Sequence, residues 1–213
     1  MRLSTVLYGL LFLLTVSCNR NLSQSRWLDK KAPPVFLASF ETTQGNFVVE
    51  FHREWSPLGV DRTYQLIRTR FYDRAGVFRV VKGFVAQFGI SPDSAKNSFW
   101  ENRILPDEPV IGQNTDGTLA YARSGPDTRS FQLYVNLKNN ASRLDTLNMM
   151  GARGFPVIGK IVQGRPVIDR LYSGYGNGPD QDSISFYGNA YLRRNFPRLD
   201  YIKRARIIKD LRN

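Results

Sequence analysis

Apolar and polar positions alternate over short runs along most of this chain. From Val35, "FLASFET" and "NFVVEFH" predict two strands, joined by a hairpin at Thr43-Gln44-Gly45. Val60, Tyr64, Ile67 and Phe71 then recur at three- and four-residue spacing behind Pro57, which predicts a helix with one apolar face. "VFRVVKGFVAQFG", Val77 to Gly89, predicts a strand pair broken by Lys82-Gly83. Arg79 and Gln87 interrupt its apolar pattern. Such an arginine either faces solvent from a half-buried strand or holds its charge over an apolar pocket. A polar stretch follows to about Thr115. "TLAYA" and "FQLYVNL" are strands on either side of a Gly125-Pro126 turn. "FPVIGKIVQG" is a strand ending in a glycine turn, and "PVIDRLYSG" is a short helix with Pro166 in its first turn and Gly174 near its C-cap. "RARIIKD" closes the chain as a strand. Many short strands with two helices point to a closed barrel or a sandwich capped by helices. The absence of a repeating β-α unit argues against a dinucleotide-binding fold.

The N-terminus departs from this pattern. Arg2 precedes an apolar run from about Val6 to Val16, too short to span a bilayer, which takes about 20 residues. It fits a secretory signal peptide over residues 1–17. The chain's single cysteine, Cys18, stands directly behind Ser17, as in the cleavage box of bacterial lipoproteins. The expectation is a lipidated Cys18, a flexible tether over residues 18–34, and a folded domain over residues 35–213 in a membrane-anchored lipoprotein of the bacterial cell envelope, facing the periplasm.

Composition narrows the chemistry. Hydrophobic residues make up 42% of the chain, enough for a core. The net charge of +12 is scattered without a long basic run, so nucleic acid is not an expected partner. One cysteine allows no disulfide within the chain and no Cys-based metal site, and the one histidine, His52, reads as the end of a strand. No metal or cofactor is expected. "GFPVIGKI" spaces its glycines like a phosphate loop, but Ile161 follows Lys160 where Ser or Thr is needed. "GYGNGPD" follows a helix instead of opening one and reads as a connector. Asp107 and Glu108 are adjacent in a Pro-bounded loop, and nothing in their spacing makes a catalytic pair.

Three ordered blocks carry a resemblance. "FRVVKGFVAQFG" is similar to the signature strand pair of the cyclophilin-type peptidyl-prolyl isomerases, in which an arginine, a Gly-Phe and a glutamine keep this order. "GTLAYARSGPDTRSFQLYVNL" resembles that family's Leu-Ala-Met-Ala-like strand, Gly-Pro turn and Ser-Gln-Phe-Phe-Ile strand. "SRLDTLNMMGARGFPVIGKIVQGRPVIDRLYSGYG" resembles its Leu-Asp, Phe-Gly-Lys-Val and following helix. Residues of about 176–202 form an insertion before the last strand.

The resemblance implies a mainly β fold, a closed eight-stranded antiparallel β-barrel capped by two α-helices, with an Xaa-Pro groove on its outer face. Carried over, Arg79 is the catalytic arginine. Phe84, Val85, Tyr134 and Leu144 line the proline pocket, with Phe155 at the family's histidine position. Gln87 holds the peptide backbone, and Ala120, Tyr121 and Gln132 line the neighbouring groove. Phe78 replaces a histidine, Tyr121 an asparagine, Phe131 a serine and Arg143 a tryptophan associated with cyclosporin binding. The implied function is cis-trans isomerisation of Xaa-Pro bonds in exported proteins by a monomer whose partners are proline-containing polypeptides and, through the lipid, a membrane. The alternative is a non-catalytic proline-peptide-binding or scaffolding module of the envelope.

Overall fold

The computed structural model describes residues 25–211, so Cys18 and the signal segment lie outside the described residues. The predicted hairpin joins β1 (Val35–Thr42) to β2 (Gly45–His52) in unbroken antiparallel register from Val35↔His52 to Thr42↔Gly45. Phe36, Ala38 and Phe40 are buried on one face of β1, and Phe36 and Phe40 stack on Phe51 and Phe47 of β2. This is the period-two pattern at work, with alternate side chains on opposite faces.

Helix α1 (Pro57–Arg68) buries Val60, Tyr64 and Ile67 against this face. Phe71 lies just past its end and is also buried. Ser56 makes no side-chain cap and the first turn of α1 holds no acidic residue. Glu108 takes over that role from a distant loop, accepting from the N–H groups of Leu58 (2.7 Å) and Gly59 (3.2 Å) and from the Ser56 hydroxyl. The fully buried Arg129 donates to the same carboxylate at 3.1 Å.

The remaining strands are β3 (Ala75–Gly76), β4 (Arg79–Val81), β5 (Val85–Phe88), β6 (Thr118–Tyr121), β7 (Leu133–Asn136), β8 (Asn148–Met149), β9 (Ala152–Arg153), β10 (Val157–Gln163) and β11 (Tyr201–Leu211). Among the described residues, nine of the eleven strands form one antiparallel sheet in the order β3-β11-β1-β2-β10-β6-β7-β5-β4. The expected closed eight-stranded barrel is corrected here: the sheet curls into a half-barrel and stays open. Its end strands β3 and β4 are two and three residues long and follow one another through Val77-Phe78. The N–H of Val77 is taken by the carbonyl of Asp200 at 2.8 Å, and Phe78 turns into the core, so no ladder forms between the two ends.

The helices also differ from the expected two. α2 (Ser94–Glu101) lies in the polar stretch and buries only Asn97 and Trp100. α3 (Ala141–Leu144) carries Leu144. The helix expected to run to Gly174 is the five-residue α4 (Arg165–Asp169), which ends at Arg170. α5 (Gln181–Asn195), within the segment expected as an insertion, is interrupted at Gly188, where φ is 58° and ψ is −143°. A Cβ there would stand 2.7 Å from the Pro92 carbonyl oxygen, so glycine meets both the backbone angle and the close approach.

The segment expected as a tether is docked where it is described. The Ala32 N–H donates to Asp61 at 2.8 Å, and Gln65 of α1 donates to the carbonyls of Leu28 (2.9 Å) and Lys30 (3.0 Å). Among the described residues, no helix is long and apolar enough to cross a membrane.

Candidate active site

Strand alternation creates a second apolar cluster on the face opposite the main core. On β5, Ala86 and Phe88 enter the core while Val85 and Gln87 face out. On β7, Leu133 and Val135 enter while Tyr134 faces out. On β6, Leu119 and Tyr121 enter while Ala120 faces out. Val85, Ala120, Tyr134, Leu144 and Phe155 form the outward cluster, with Phe84 and Ala122 packed on it. Above it lies a cleft of about 350 Å³.

Register sets the polar groups of this cleft. Arg79 pairs with Gln87, Gln87 with Tyr134, and Tyr134 with Ala120, a single row across β4, β5, β7 and β6. The intervening turn gives Arg79 its reach to Phe84. Phe84 N–H closes on the Val81 carbonyl at 2.9 Å, and Gly83 supplies the positive φ of 67°. The Arg79 guanidinium then sits 5.7 Å from the Phe84 ring centroid. Its Nη1 donates to Gln87 Oε1 at 3.1 Å, and its Nε donates to Asn177 Oδ1 at 2.5 Å.

A guanidinium only donates, so Gln87 must turn its oxygen to Arg79 and its amide nitrogen away. That nitrogen donates to Gln132 Oε1 at 2.8 Å. Among the described residues, Arg79 Nη2 and Gln132 Nε2 are left without a hydrogen-bond partner, two donors at a cleft with an apolar floor. Burial, and secondarily the charge of Arg143, lowers the Arg79 pKa from its ordinary value.

Asn114 holds the floor together. It is fully buried, and its amide nitrogen donates to Asp145 Oδ1 (2.7 Å) and the Phe155 carbonyl (2.8 Å). Its oxygen accepts from the Tyr134 hydroxyl (2.9 Å) and from Asn136 (3.0 Å). Tyr134 and Phe155 meet edge to face at 6.0 Å. Burial, then the nearby Asp145, raises the Tyr134 pKa well above the usual tyrosine value, so its hydroxyl stays protonated as the donor to Asn114.

Eight of the expected site residues line the cleft: Arg79, Phe84, Val85, Gln87, Gln132, Tyr134, Leu144 and Phe155. Two do not. Tyr121 points into the core, its hydroxyl 2.8 Å from Thr63 Oγ1, and is corrected here as a core residue that cannot reach a peptide in the cleft. Ala120 faces the right way but is fully covered, a floor residue under the cluster. Ala122 and Arg123 take the groove positions instead. Arg123 donates to Asp107 (2.7 Å) and to the carbonyls of Ala152 (3.0 Å) and Gly154 (2.6 Å), and its guanidinium stands 4.9 Å from the Phe155 ring centroid. It thereby pins the connector that presents Phe155. Phe78 belongs to the main core, on the face away from Arg79. His52 stacks on Trp55 at 4.1 Å and bonds Glu50, outside the cleft. Asn177, in the "GYGNGPD" stretch read as a connector, and Gln181, at the start of α5, reach the site and carried no sequence signal for it.

The sequence model of the family described as cyclophilin type peptidyl-prolyl cis-trans isomerase/CLD matches residues 37–185. A peptidyl-prolyl cis-trans isomerase of Acinetobacter baylyi is 28% identical over 140 residues, covering 63% of this chain and 71% of that protein. Peptidyl-prolyl cis-trans isomerase B of Escherichia coli is 28% identical over 140 residues, covering 63% and 83%. The crystal structure of a cyclophilin type peptidyl-prolyl cis-trans isomerase of Cryptosporidium parvum superposes with a TM-score of 0.61 at 16% identity, covering 83% of this chain and 99% of that one, a likeness of fold. With the family match spanning most of the folded part, the chain belongs to the cyclophilin-type peptidyl-prolyl cis-trans isomerases.

Proposed function

We propose that this peptidyl-prolyl cis-trans isomerase works at the outer-face cleft, with Arg79 as its catalytic residue. The observation that carries this reading is the Arg79–Gln87–Tyr134 register row, which sets a half-buried guanidinium with a free Nη2 beside an apolar pocket. The barrier to prolyl isomerisation is lost amide resonance, about 18–20 kcal/mol, so the reaction makes and breaks no covalent bond. As the C–N bond twists, the prolyl nitrogen turns pyramidal and gains a lone pair. Arg79 Nη2 donates to that lone pair, which exists only in the twisted state, and so binds the transition state more strongly than the planar amide. Val85, Tyr134, Leu144, Phe84 and Phe155 hold the ring while the preceding carbonyl rotates. Gln132 Nε2 holds a backbone carbonyl beside it. An acceleration of ~10⁵ would take about 7 kcal/mol in all, part from the charged hydrogen bond and the rest from positioning.

A protease-free isomerisation assay, or NMR exchange between cis and trans peptide, tests the reading; a protein that leaves the exchange rate of Xaa-Pro peptides unchanged would overturn it. The profile of kcat/KM is expected to be flat from about pH 6 to 9. Arginine stays protonated across that range, and burial keeps Tyr134 neutral. No Asp, Glu, His or Cys lines the cleft among the described residues. A bell-shaped profile would show that a titrating group outside this set takes part.

The clients are taken to be exported proteins and the site of action the periplasmic side of the envelope. What supports this is the apolar run ending at the single cysteine, Cys18. Cys18→Ala is expected to abolish incorporation of labelled fatty acid and to release the protein from membranes; retention of both would end the lipoprotein reading.

A further inference from the structure

A second hollow of about 310 Å³ adjoins the cleft and shares Phe84 with it. Its lining includes Val81, Gly83, Lys138, Ser142 and Arg143. The exposed Arg143 guanidinium stands 5.0 Å from the Phe84 centroid, the same ring that Arg79 covers at 5.7 Å. One aromatic side chain therefore lies within about 6 Å of two cations. The two hollows are lined by four cationic side chains, Arg79, Arg123, Lys138 and Arg143, and by no carboxylate. Only Arg123 has an ion-pair partner among the described residues. Scattered positive charge is expected in a chain of net charge +12; Arg53, Arg165, Arg204 and Arg206 each pair with a carboxylate, whereas Arg79, Lys138 and Arg143 form no ion pair among the described residues. Beside the cleft it is left open, and the Arg143 charge is felt at Arg79.

Resting on the isomerase reading above, we infer that the enzyme prefers Xaa-Pro segments with an acidic side chain on the flank that leaves the proline pocket past Phe84, and that Arg143, assisted by Lys138, reads that side chain. An extended peptide advances about 3.3–3.6 Å per residue. A carboxylate one to three residues from the proline therefore comes within reach of the Arg143 fork. Arg143 is a specificity residue, not a catalytic one: it lines the adjoining hollow and not the cleft that holds Arg79. An exposed pair of this kind gives about three- to fivefold in kcat/KM, and salt screens it.

The test is a peptide series with a constant Ala-Pro centre and Glu, Gln or Lys at each of three positions on either side. Wild type is expected to turn over Glu peptides about three- to fivefold faster than Gln peptides on one flank only, and Lys peptides more slowly. The gain should disappear at about 0.5 M salt, where the Debye length is only a few ångström. It should also disappear in Arg143→Gln, which keeps a side chain over Phe84 and is expected to retain the all-neutral rate within about twofold. Arg143→Glu should invert the preference toward Lys. Equal rates for Glu and Gln on both flanks, or a Glu preference that survives Arg143→Gln with Lys138→Gln, would overturn the inference. Failure of wild type to accelerate even the neutral peptide would instead overturn the isomerase reading beneath it.

Discussion

Replacing Arg79 with alanine is expected to lower kcat/KM on an Xaa-Pro peptide by about 10²- to 10³-fold, the effect of deleting one preorganised donor to a developing charge. The loss falls on kcat, because the donor's acceptor is a lone pair that the planar substrate lacks. Peptide affinity, measured by titration, should change little, since the apolar floor comes from β5, β7, α3 and Phe155 and does not include Arg79. Arg79→Lys should restore only part of the rate. An ammonium keeps the charge, but its three donors radiate from one nitrogen on a flexible stem and lack the planar fork that bonds Gln87 and Asn177 while aiming Nη2 into the cleft. A variant with the wild-type rate would move catalysis elsewhere in the cleft.

Arg129→Met is expected to cost about 3–5 kcal/mol of stability, a fall in Tm of roughly 10 °C for a chain of this size. Arg129 is fully buried and Glu108 has a side chain only 8% exposed, so the substitution strands a carboxylate away from water. That carboxylate also completes the N-terminus of α1, through Leu58, Gly59 and Ser56. Arg129 further donates to the Pro106 carbonyl, closing the loop that carries Glu108. Adding Glu108→Gln removes the stranded charge while keeping an acceptor for the helix, and should recover part of the loss in a urea titration. If Arg129→Met unfolds at the wild-type midpoint, the pair contributes nothing net.

The strands around the cleft were legible because the sequence alternates cleanly there. Arg79 and Gln87 break an apolar run at equal parity on paired strands, which puts them on one face. The same alternation exposes the misplacement of Tyr121. A shift of one residue along β6 exchanges core for groove, and a short strand such as "TLAYA" fixes its register only through partners distant in sequence. Helix α5 was missed because Gly188 interrupts its period, and α2 because it buries only two residues. Asn114 and Asn177 gave no sign, since a single amide among many polar loop residues, buried at Asn114 and exposed at Asn177, has no periodic signature. The strand pattern left a closed barrel or a sandwich open, the resemblance implied the eight-stranded barrel, and strand lengths of two and three at β3 and β4 decided against closure.

Arg79 stands on β4, the last strand of an open sheet, held by three register pairs with β5 and, among the described residues, with no strand paired on its other side. The apolar cluster proposed as the proline pocket draws Val85, Tyr134 and Ala120 from β5, β7 and β6, which are each paired on both sides. The two halves of the activity therefore belong to regions of unequal local stability. Hydrogen exchange should find the β4 amides opening at lower free energy than those of β7. A subglobal opening that peels β4 away would leave a protein that still grips proline but no longer turns it. On the proposed assignment of Arg79, fraying of this one short edge strand would turn the isomerase into a passive holder.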